Sequence, residues 1–409
     1  MPHDVYLLTI LTGCDNGTLA MGWGSGTANF PYLVTPDAAI QAEVIQNGKG
    51  FYESVLDDYA YTQISALARR ADQVNGPCLT FVNSDSGEGY IVVDGNEGDR
   101  NNLTLWHSGD ALIANVTSQC KNTVVVIHSV GAVNIETFNE NPNVTAIVWA
   151  GIPGQESGNS IVDILYGKKS PGRLPFTIGT WRGSYGADIL YTPNNGVKAP
   201  QQDLTEGIFT DYRGFDANNE TPIYEFGHGL SWTKFGYSNL QITPIPSNYS
   251  YSPVGGHTPA APTYGTISND SSQYLCGNMS FVKAFIYPCL NSTNFANAGN
   301  DPEYGMNVSY PSGAYDSSAQ SYLPAGGAPG GNPDLYKVIF TVTATITNTG
   351  DVTSDEVPQL YVSLGGPNDA PKVLRGFERI TIAPRASATF TVGLTRRDIS
   401  NWSAEKQNW

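Results

Sequence analysis

The sequence predicts an α/β domain with a mainly parallel open sheet, followed by an antiparallel β-sandwich. Three short apolar runs rich in β-branched residues, 78–82, 123–128 and 145–149, alternate with amphipathic helical patterns. From residue 336 to 348 the pattern changes, and apolar and polar residues alternate with a period of two. A chain of 409 residues is also too long for a single core. We therefore expect at least two domains of different class.

Residues 14–235 carry the α/β pattern. Thr35 is a predicted N-cap with Pro36 at the first helical position, and this helix ends near Gly48. Further helices are predicted over 56–71, 111–120 and 156–167. Residues 1–13 form a separate segment before this domain.

Beyond the α/β region, residues 236–334 are dominated by Gly, Pro, Ser, Asn and Tyr. This composition predicts a linker or a surface insertion, and disorder is the alternative. Residues 335–409 carry the β-sandwich, with strands predicted over 336–348, 358–364, 380–382 and 389–394. The segment is short for such a domain, so we expect the sandwich to be truncated at Trp409.

The net charge of −16 argues against nucleic acid and anionic membranes as partners, because an acidic surface repels both. No apolar run is long enough to span a bilayer. The spacing of the histidines does not suit a metal site, and no nucleotide-binding motif occurs. We therefore expect neither a metal nor a cofactor.

Secretion is predicted from eleven N-x-S/T sequons, where the Asn, Ser and Thr content gives about five by chance. The predicted glycosylation sites are Asn16, Asn102, Asn115, Asn143, Asn219, Asn248, Asn269, Asn278, Asn291, Asn307 and Asn401. Residues 1–13 do not form a signal peptide, so we expect the natural N-terminus to lie upstream.

The five cysteines predict one disulfide and two buried thiols. Cys276 and Cys289 lie in a loop-rich region and can close a disulfide, whereas Cys78 and Cys120 flank apolar runs and are interpreted as buried thiols. Cys14 is left over.

The candidate catalytic loop follows the first predicted buried strand, where open α/β sheets build their sites. Glu88 lies between two glycines, and Tyr90 beside it provides an aromatic surface. A glutamate in such a loop suits general acid/base catalysis. The alternative is a polar turn whose acids only solvate the loop.

Further candidates lie elsewhere in the same region. Trp23 and Ser25, in a Gly-rich loop, suit a sugar site, and a tight turn is the alternative. Glu206 is a second candidate carboxylate, although Asp211 and Arg213 nearby favour a structural ion-pair network. His128, at the end of a strand, is interpreted as a core residue.

Several motifs resemble fungal secreted β-glucosidases of glycoside hydrolase family 3. They are GCDNGTLAMGWGSG (13–26), DSGEGY (85–90), GNEGDRNN (95–102), WAGIPGQESGN (149–159) and YEFGHGL (224–230). The motifs VPQLY (357–361) and LRGF (374–377) resemble the fibronectin type III-like domain of the same family. The resemblance implies a TIM-like barrel that carries an aspartate nucleophile, an α/β sandwich and the fibronectin-like domain. No matching nucleophile motif occurs here, so the chain is similar to the second half of such an enzyme.

The resemblance also assigns roles to the candidate residues. Glu88 matches the acid/base glutamate of a retaining mechanism, Tyr90 the leaving-group subsite, and Ser25 a contact to bound glucose. Cys14 matches a cysteine whose disulfide partner lies upstream. The implied substrates are cellobiose, short cello-oligosaccharides and other β-glucosides. The resemblance leaves open whether the full-length enzyme is a homodimer. We expect the chain to be inactive alone, and a non-catalytic secreted sugar-binding or wall-associated module is the alternative function.

Overall fold

The computed structural model describes residues 10–11, 18–22, 28–47, 50–56, 60–86, 92–93, 96–97, 99–188, 203–246, 257–261, 312–313, 316–321, 333–366, 368–403 and 409. The helices of the α/β part are α1 (Pro36–Asn47), α2 (Thr62–Gln73), α3 (Gly109–Thr117), α4 (Ser157–Leu165) and α5 (Tyr212–Asn218). Its strands are β1 (Ile10–Leu11), β2 (Val55–Leu56), β3 (Cys78–Ser84), β4 (Val92–Val93), β5 (Asn96–Glu97), β6 (Thr123–Ser129) and β7 (Val144–Trp149).

The central sheet has the order β3-β6-β7, and all three strands are parallel. This confirms the predicted parallel sheet. The four predicted helices correspond to α1 to α4, although α2 begins at Thr62 and not at residue 56. The predicted N-cap of α1 is also present, because the Thr35 hydroxyl accepts a hydrogen bond from the Ala38 amide at 3.3 Å. The short helix α5 was not predicted.

Helices cover both faces of this sheet. Successive side chains of a strand point to opposite faces, and every residue of β3 is buried. On one face Val82 packs with α2 and α3 through Leu67 and Leu112. On the other, Phe81 packs with α1 and α4 through Ile40 and Ile161. Burial on both faces explains why β3 and β6 appear in the sequence as continuous apolar runs, whereas β7, at the edge of the sheet, is only partly buried.

Helices α1 and α4 approach closely at Gly158. A Cβ atom at this position would lie 2.1 Å from the Thr35 carbonyl oxygen and 2.8 Å from the Ala39 side chain. The Gly158 amide donates to the Val34 carbonyl oxygen at 2.7 Å. The missing side chain therefore lets the two helix N-termini pack backbone to backbone.

The sandwich part contains β8 (Phe235–Pro244), β9 (Val338–Asn348), β10 (Ser354–Glu356), β11 (Gln359–Val362), β12 (Val373–Phe377), β13 (Ile380–Ile382) and β14 (Ser387–Thr395). One antiparallel sheet has the order β14-β9-β8, and β10–β13 and β11–β12 form antiparallel pairs. Its core contains Ile346, Ile382 and Phe390. The predicted combination of α/β and β-sandwich architecture is thus confirmed.

Strand β8 corrects the predicted linker. The composition placed residues 236–334 outside the sandwich, yet Phe235–Pro244 pairs with β9, with an irregularity between Ser238 and Gln241. This segment is mostly exposed, with side chains such as Leu240 67% exposed, so it lacks the burial that marks a strand in a sequence. Backbone pairing with a partner about 100 residues away, and not periodicity, makes it a strand.

A second correction concerns Cys78 and Cys120, which form a disulfide and are not free thiols. Cys78 begins β3, and Cys120 follows α3 just before β6. The parallel register pairs Cys78 with Thr123, which brings the two cysteine Cα atoms to 6.6 Å. Cys14, Cys276 and Cys289 lie outside the described residues, so their predicted states stay predictions.

The α/β part and the sandwich belong to one compact unit, residues 1–246 with 338–400. Arg173 reaches from the α/β part to Glu356 of β10, with Nη2 at 2.8 and 2.7 Å from the two carboxylate oxygens. The side-chain amide of Gln359 donates to the Gly227 carbonyl oxygen at 3.0 Å, and the backbone amide of Leu374 donates to the Tyr212 hydroxyl at 2.9 Å. Polar side chains therefore join the two parts.

The other unit comprises residues 247–337 and 401–409. Its described residues include an antiparallel bridge between His257 and Ser321, and an edge-to-face pair of Trp402 and Trp409 with centroids 6.0 Å apart. In the part of the chain that the structure describes, no helix combines the length and the apolar character that crossing a membrane requires.

Candidate active site

Buried polar side chains cluster at the carboxyl ends of β3 and β6. Ser84 is the last residue of β3 and Asp85 follows it, whereas His128 and Ser129 are the last two residues of β6. Each of the four is at most 1% exposed. The carboxyl edge of a parallel sheet is where ligand sites of open α/β folds lie. The structure thus places the beginning of the predicted catalytic loop at this edge.

The two ends of that loop are tied together. The Ser86 hydroxyl donates to Asp99 Oδ1 at 2.6 Å. Behind it, the Trp106 amide donates to the Asn83 carbonyl oxygen at 2.9 Å. The described residues on either side of 87–98 therefore close the base of a loop that contains Glu88.

A charged pair lies at the same base. Burial lowers the pKa of the Arg100 guanidinium, while the charge of Asp85, and then that of Tyr185, raises it. Asp85 is fully buried, so its attraction to Arg100 acts in a medium of low dielectric constant. Asp85 and Arg100 hold opposite charges at the two ends of the loop.

The Gly-rich loop begins beside the same edge. The Thr18 hydroxyl lies 3.5 Å from His128 Nε2 and shares a short hydrogen bond with the Ser157 hydroxyl. A Cβ atom at Gly22 would lie 3.0 Å from the Val130 side chain, which follows β6. Residues 18–22 thus run along the carboxyl ends of the strands and directly precede Trp23 in the sequence.

His128 is a core histidine, as interpreted from the sequence. Its ring stacks on Phe81 with centroids 6.1 Å apart, and Nδ1 has no hydrogen-bond partner among the described atoms. Burial lowers the pKa of His128 to about 4. The ring is therefore neutral at physiological pH.

The four predicted site residues, Glu88, Tyr90, Trp23 and Ser25, all lie outside the described residues. Their roles stay predictions, and the structure brings together only the segments that flank them. Among the described residues, no group of three or more His, Cys, Asp or Glu side chains is arranged to hold a metal ion.

Glu206, the second candidate carboxylate, is half-buried and lines a cavity together with Tyr185 and Phe209. The ion-pair network predicted around it is wrong. Arg213 donates to the Thr210 hydroxyl at 2.7 Å, and Asp211 Oδ1 accepts from the Thr177 amide at 2.8 Å. Asp211 and Arg213 thus bind uncharged groups: Thr210 lies three residues before Arg213, whereas the fold brings the Thr177 amide to Asp211.

The described sequons differ in accessibility. Asn219 and Asn401 are exposed, whereas Asn143 is half-buried and its amide nitrogen donates to the Thr117 carbonyl oxygen at 2.8 Å. Glycosylation at all eleven positions stays a prediction.

The sequence reasoning missed the roles of Asp85, Ser86, Asp99 and Arg100. A signal was present, because charged and hydroxyl residues flank the Glu88 loop symmetrically in DSGEGY and GNEGDRNN. Periodicity cannot reveal it, since these residues lie outside helices and strands.

Comparison with known proteins identifies the family. Residues 8–232 match the Glycosyl hydrolase family 3 C-terminal domain, and residues 356–409 match the Fibronectin type III-like domain. Because the first match covers more than half of the chain, the protein belongs to glycoside hydrolase family 3.

Two of the similar proteins are fungal beta-glucosidases. The chain is 57% identical over 401 residues to a probable beta-glucosidase A of Neosartorya fischeri and 56% identical to beta-glucosidase A of Aspergillus kawachii. Each alignment covers 97% of this chain, but only 45% and 46% of these relatives. The chain thus spans about half the length of the relatives that it matches.

A solved glycoside hydrolase family 3 beta-glucosidase from Neurospora crassa superimposes with a TM-score of 0.87 at 50% identity. The match covers all of this chain and 50% of that structure. A Chaetomium thermophilum beta-glucosidase gives the same TM-score at 51% identity.

Proposed function

We propose that this chain forms the acid/base half of a retaining β-glucosidase, an enzyme that releases terminal β-D-glucosyl residues from cellobiose, short cello-oligosaccharides and other β-glucosides. The observation that carries the proposal is the alignment of 97% of the chain with relatives named beta-glucosidases. The closed base of the Glu88 loop at the carboxyl edge of the sheet supports it.

The proposed mechanism requires two carboxyl groups about 5–5.5 Å apart. Glu88 protonates the leaving glycosidic oxygen and then, as its carboxylate, deprotonates the water that hydrolyses the glycosyl-enzyme. The nucleophile is an aspartate of a TIM-like barrel. Tyr90 lines the leaving-group subsite, and Ser25 and Trp23 contact the bound glucose. Asp85 and Arg100 would help to hold the loop in place.

The mechanism is tested in a chimera that joins this chain to the remaining half of the Neosartorya fischeri relative. We expect Glu88→Gln to lower kcat for cellobiose about 10²–10⁴-fold, because the glucose leaving group needs a proton. Activated aryl glucosides should lose far less in the glycosylation step, since their leaving groups are stable as anions. Pre-steady-state kinetics on both substrates measure this difference.

Glu206→Gln is the matched control and should leave both rates unchanged. Equal losses on the two substrates for Glu88→Gln, or a selective loss for Glu206→Gln, would assign the acid role elsewhere. The 409-residue chain by itself should release no glucose from either substrate.

The alternative is a non-catalytic sugar-binding or wall-associated module. It would be favoured if the chimera bound cellobiose without turnover although the barrel half was folded. In both cases we propose a secreted glycoprotein with the α/β domain described above and with a sandwich that contains β8 in addition to residues 335–409. Secretion from a yeast host, with a loss of mass on endoglycosidase treatment, tests the glycosylation.

A further inference from the structure

A cleft of about 750 Å³ lies where the α/β part meets the sandwich. One wall is formed by α5 and the segment Glu225–Gly229, and the other by Tyr237 and the residues from Glu356 to Tyr361. Sites for small ligands commonly have this size and commonly lie between domains. The cleft is therefore large enough for a short oligosaccharide.

Tyr237 provides a fixed aromatic surface in this cleft. Its side chain is 56% exposed, yet its hydroxyl donates to Glu356 Oε1 at 3.0 Å. Glu356 is itself buried and held by Arg173. An exposed ring that is already fixed loses little conformational entropy when a ligand stacks on it.

The charges of the cleft disfavour anionic ligands. Arg173 neutralises Glu356, and Lys372 lies 3.2 Å from Asp216. Glu220 and Glu225 remain as lining carboxylates and make the cleft acidic, which disfavours phosphates and acidic sugars. Carboxylates are strong acceptors for hydroxyl groups, so a neutral polyhydroxylated ligand suits this lining.

We propose that this cleft is a binding site for a neutral saccharide, with the ring of Tyr237 stacking on a pyranose face and Glu220 and Glu225 accepting its hydroxyl groups. This function goes beyond the proposed hydrolysis and uses none of the residues assigned to it. Two sources can supply the saccharide. One is a free β-glucan chain, and the other is the glycan of the sequon at Asn219, which also lines the cleft.

The first arm of the test measures hydrogen–deuterium exchange of the 409-residue chain, secreted from yeast and carrying Thr221→Ala, which removes the Asn219 sequon. With cellotetraose as the probe, we expect protection of peptides that span 222–230 and 355–362. Tyr237→Ala should raise the half-saturating concentration about fivefold or more, because truncating a central aromatic contact costs over 1 kcal/mol.

Two variants control this arm. Tyr237→Phe keeps the ring and should weaken binding less than Tyr237→Ala, which separates stacking from a loss of folding. Phe377→Ala removes a 68% exposed ring of the same sandwich that does not line the cleft, and binding should be unchanged.

The second arm compares Thr221→Ser, which keeps the sequon, with Thr221→Ala, without added sugar. The attached glycan is the occupant if the same peptides are protected in Thr221→Ser but not in Thr221→Ala. This protection should then be lost when the glycan is trimmed to one N-acetylglucosamine. Protection in the first arm identifies a free saccharide. The absence of protection in both arms, or protection that survives Tyr237→Ala undiminished, would overturn the proposal.

Discussion

His128 shows how burial fixes the protonation state of one residue. Its ring stacks on Phe81 of β3, and the Thr18 hydroxyl lies 3.5 Å from Nε2. A charged imidazolium in this place would lose its hydration without gaining an anion. The neutral ring is therefore part of the packing at the candidate site.

This burial predicts an acid-dependent loss of stability. The unfolded chain takes up a proton near pH 6.5 and folded His128 only near pH 4, so the stabilisation is complete above pH 6.5 and is lost as the pH falls towards 4. A depression of this size corresponds to roughly 3 kcal/mol. Urea unfolding at pH 7 and pH 4.5 measures the loss, and His128→Gln should reduce it.

An equally steep pH dependence in His128→Gln and in the parent would contradict the prediction.

At the level of elements, the crossing of α1 and α4 depends on Gly158. Gly158→Ala places a methyl group against the Thr35 carbonyl, and such overpacking costs about 1–3 kcal/mol. This cost should exceed the gain of up to about 1 kcal/mol that alanine brings to a helix. We expect a lower urea midpoint at an unchanged m-value.

Gly172→Ala serves as the comparison, because a Cβ atom there would meet no atom within 4 Å. Its stability should change by less than about 0.5 kcal/mol. Equal stability of both variants would show that the two helices can separate without cost.

The disulfide between Cys78 and Cys120 links the start of β3 to the segment between α3 and β6. It closes a loop with a sequence separation of 42 residues, so its removal should destabilise the fold by about 3–4 kcal/mol through the entropy of the unfolded chain. Urea unfolding of Cys78→Ala/Cys120→Ala measures this loss. Reductant should lower the stability of the parent and leave the variant unchanged, whereas a reductant-insensitive parent would contradict the disulfide.

For the whole molecule, the contact between the α/β part and the sandwich depends on the ion pair of Arg173 and Glu356. The two side chains are 14% and 8% exposed, so the removal of one leaves a poorly hydrated charge. Arg173→Met should therefore cost about 3 kcal/mol, and Arg173→Met/Glu356→Met should cost less than the sum of its single variants. Denaturant unfolding of all three variants measures the coupling.

Asp351→Asn is the surface control, because Asp351 and its partner Arg385 are 83% and 66% exposed. Its loss should stay below about 1 kcal/mol. Strictly additive losses for Arg173 and Glu356 would show that the pair does not couple the two parts.

The sequence by itself determined the elements whose burial repeats along the chain. Strands β3 and β6 and helices α1 to α4 were predicted because a buried strand or an amphipathic helix imposes a local pattern on its residues. Strand β7 is only partly buried and was predicted from its apolar, β-branched composition. The start of the candidate catalytic loop at the end of β3 followed from the same pattern. The role of Glu88, by contrast, came from a motif resemblance.

The tertiary structure alone decided which distant residues meet. The disulfide of Cys78 with Cys120, the pairing of β8 with β9 and the charges of Asp85 and Arg100 at the base of one loop depend on parallel register and chain closure. The cleft with Tyr237 is likewise formed by segments that are far apart in the sequence. A local pattern records whether a residue is buried, but it does not record the partner, because the partner is fixed by long-range packing of complete elements.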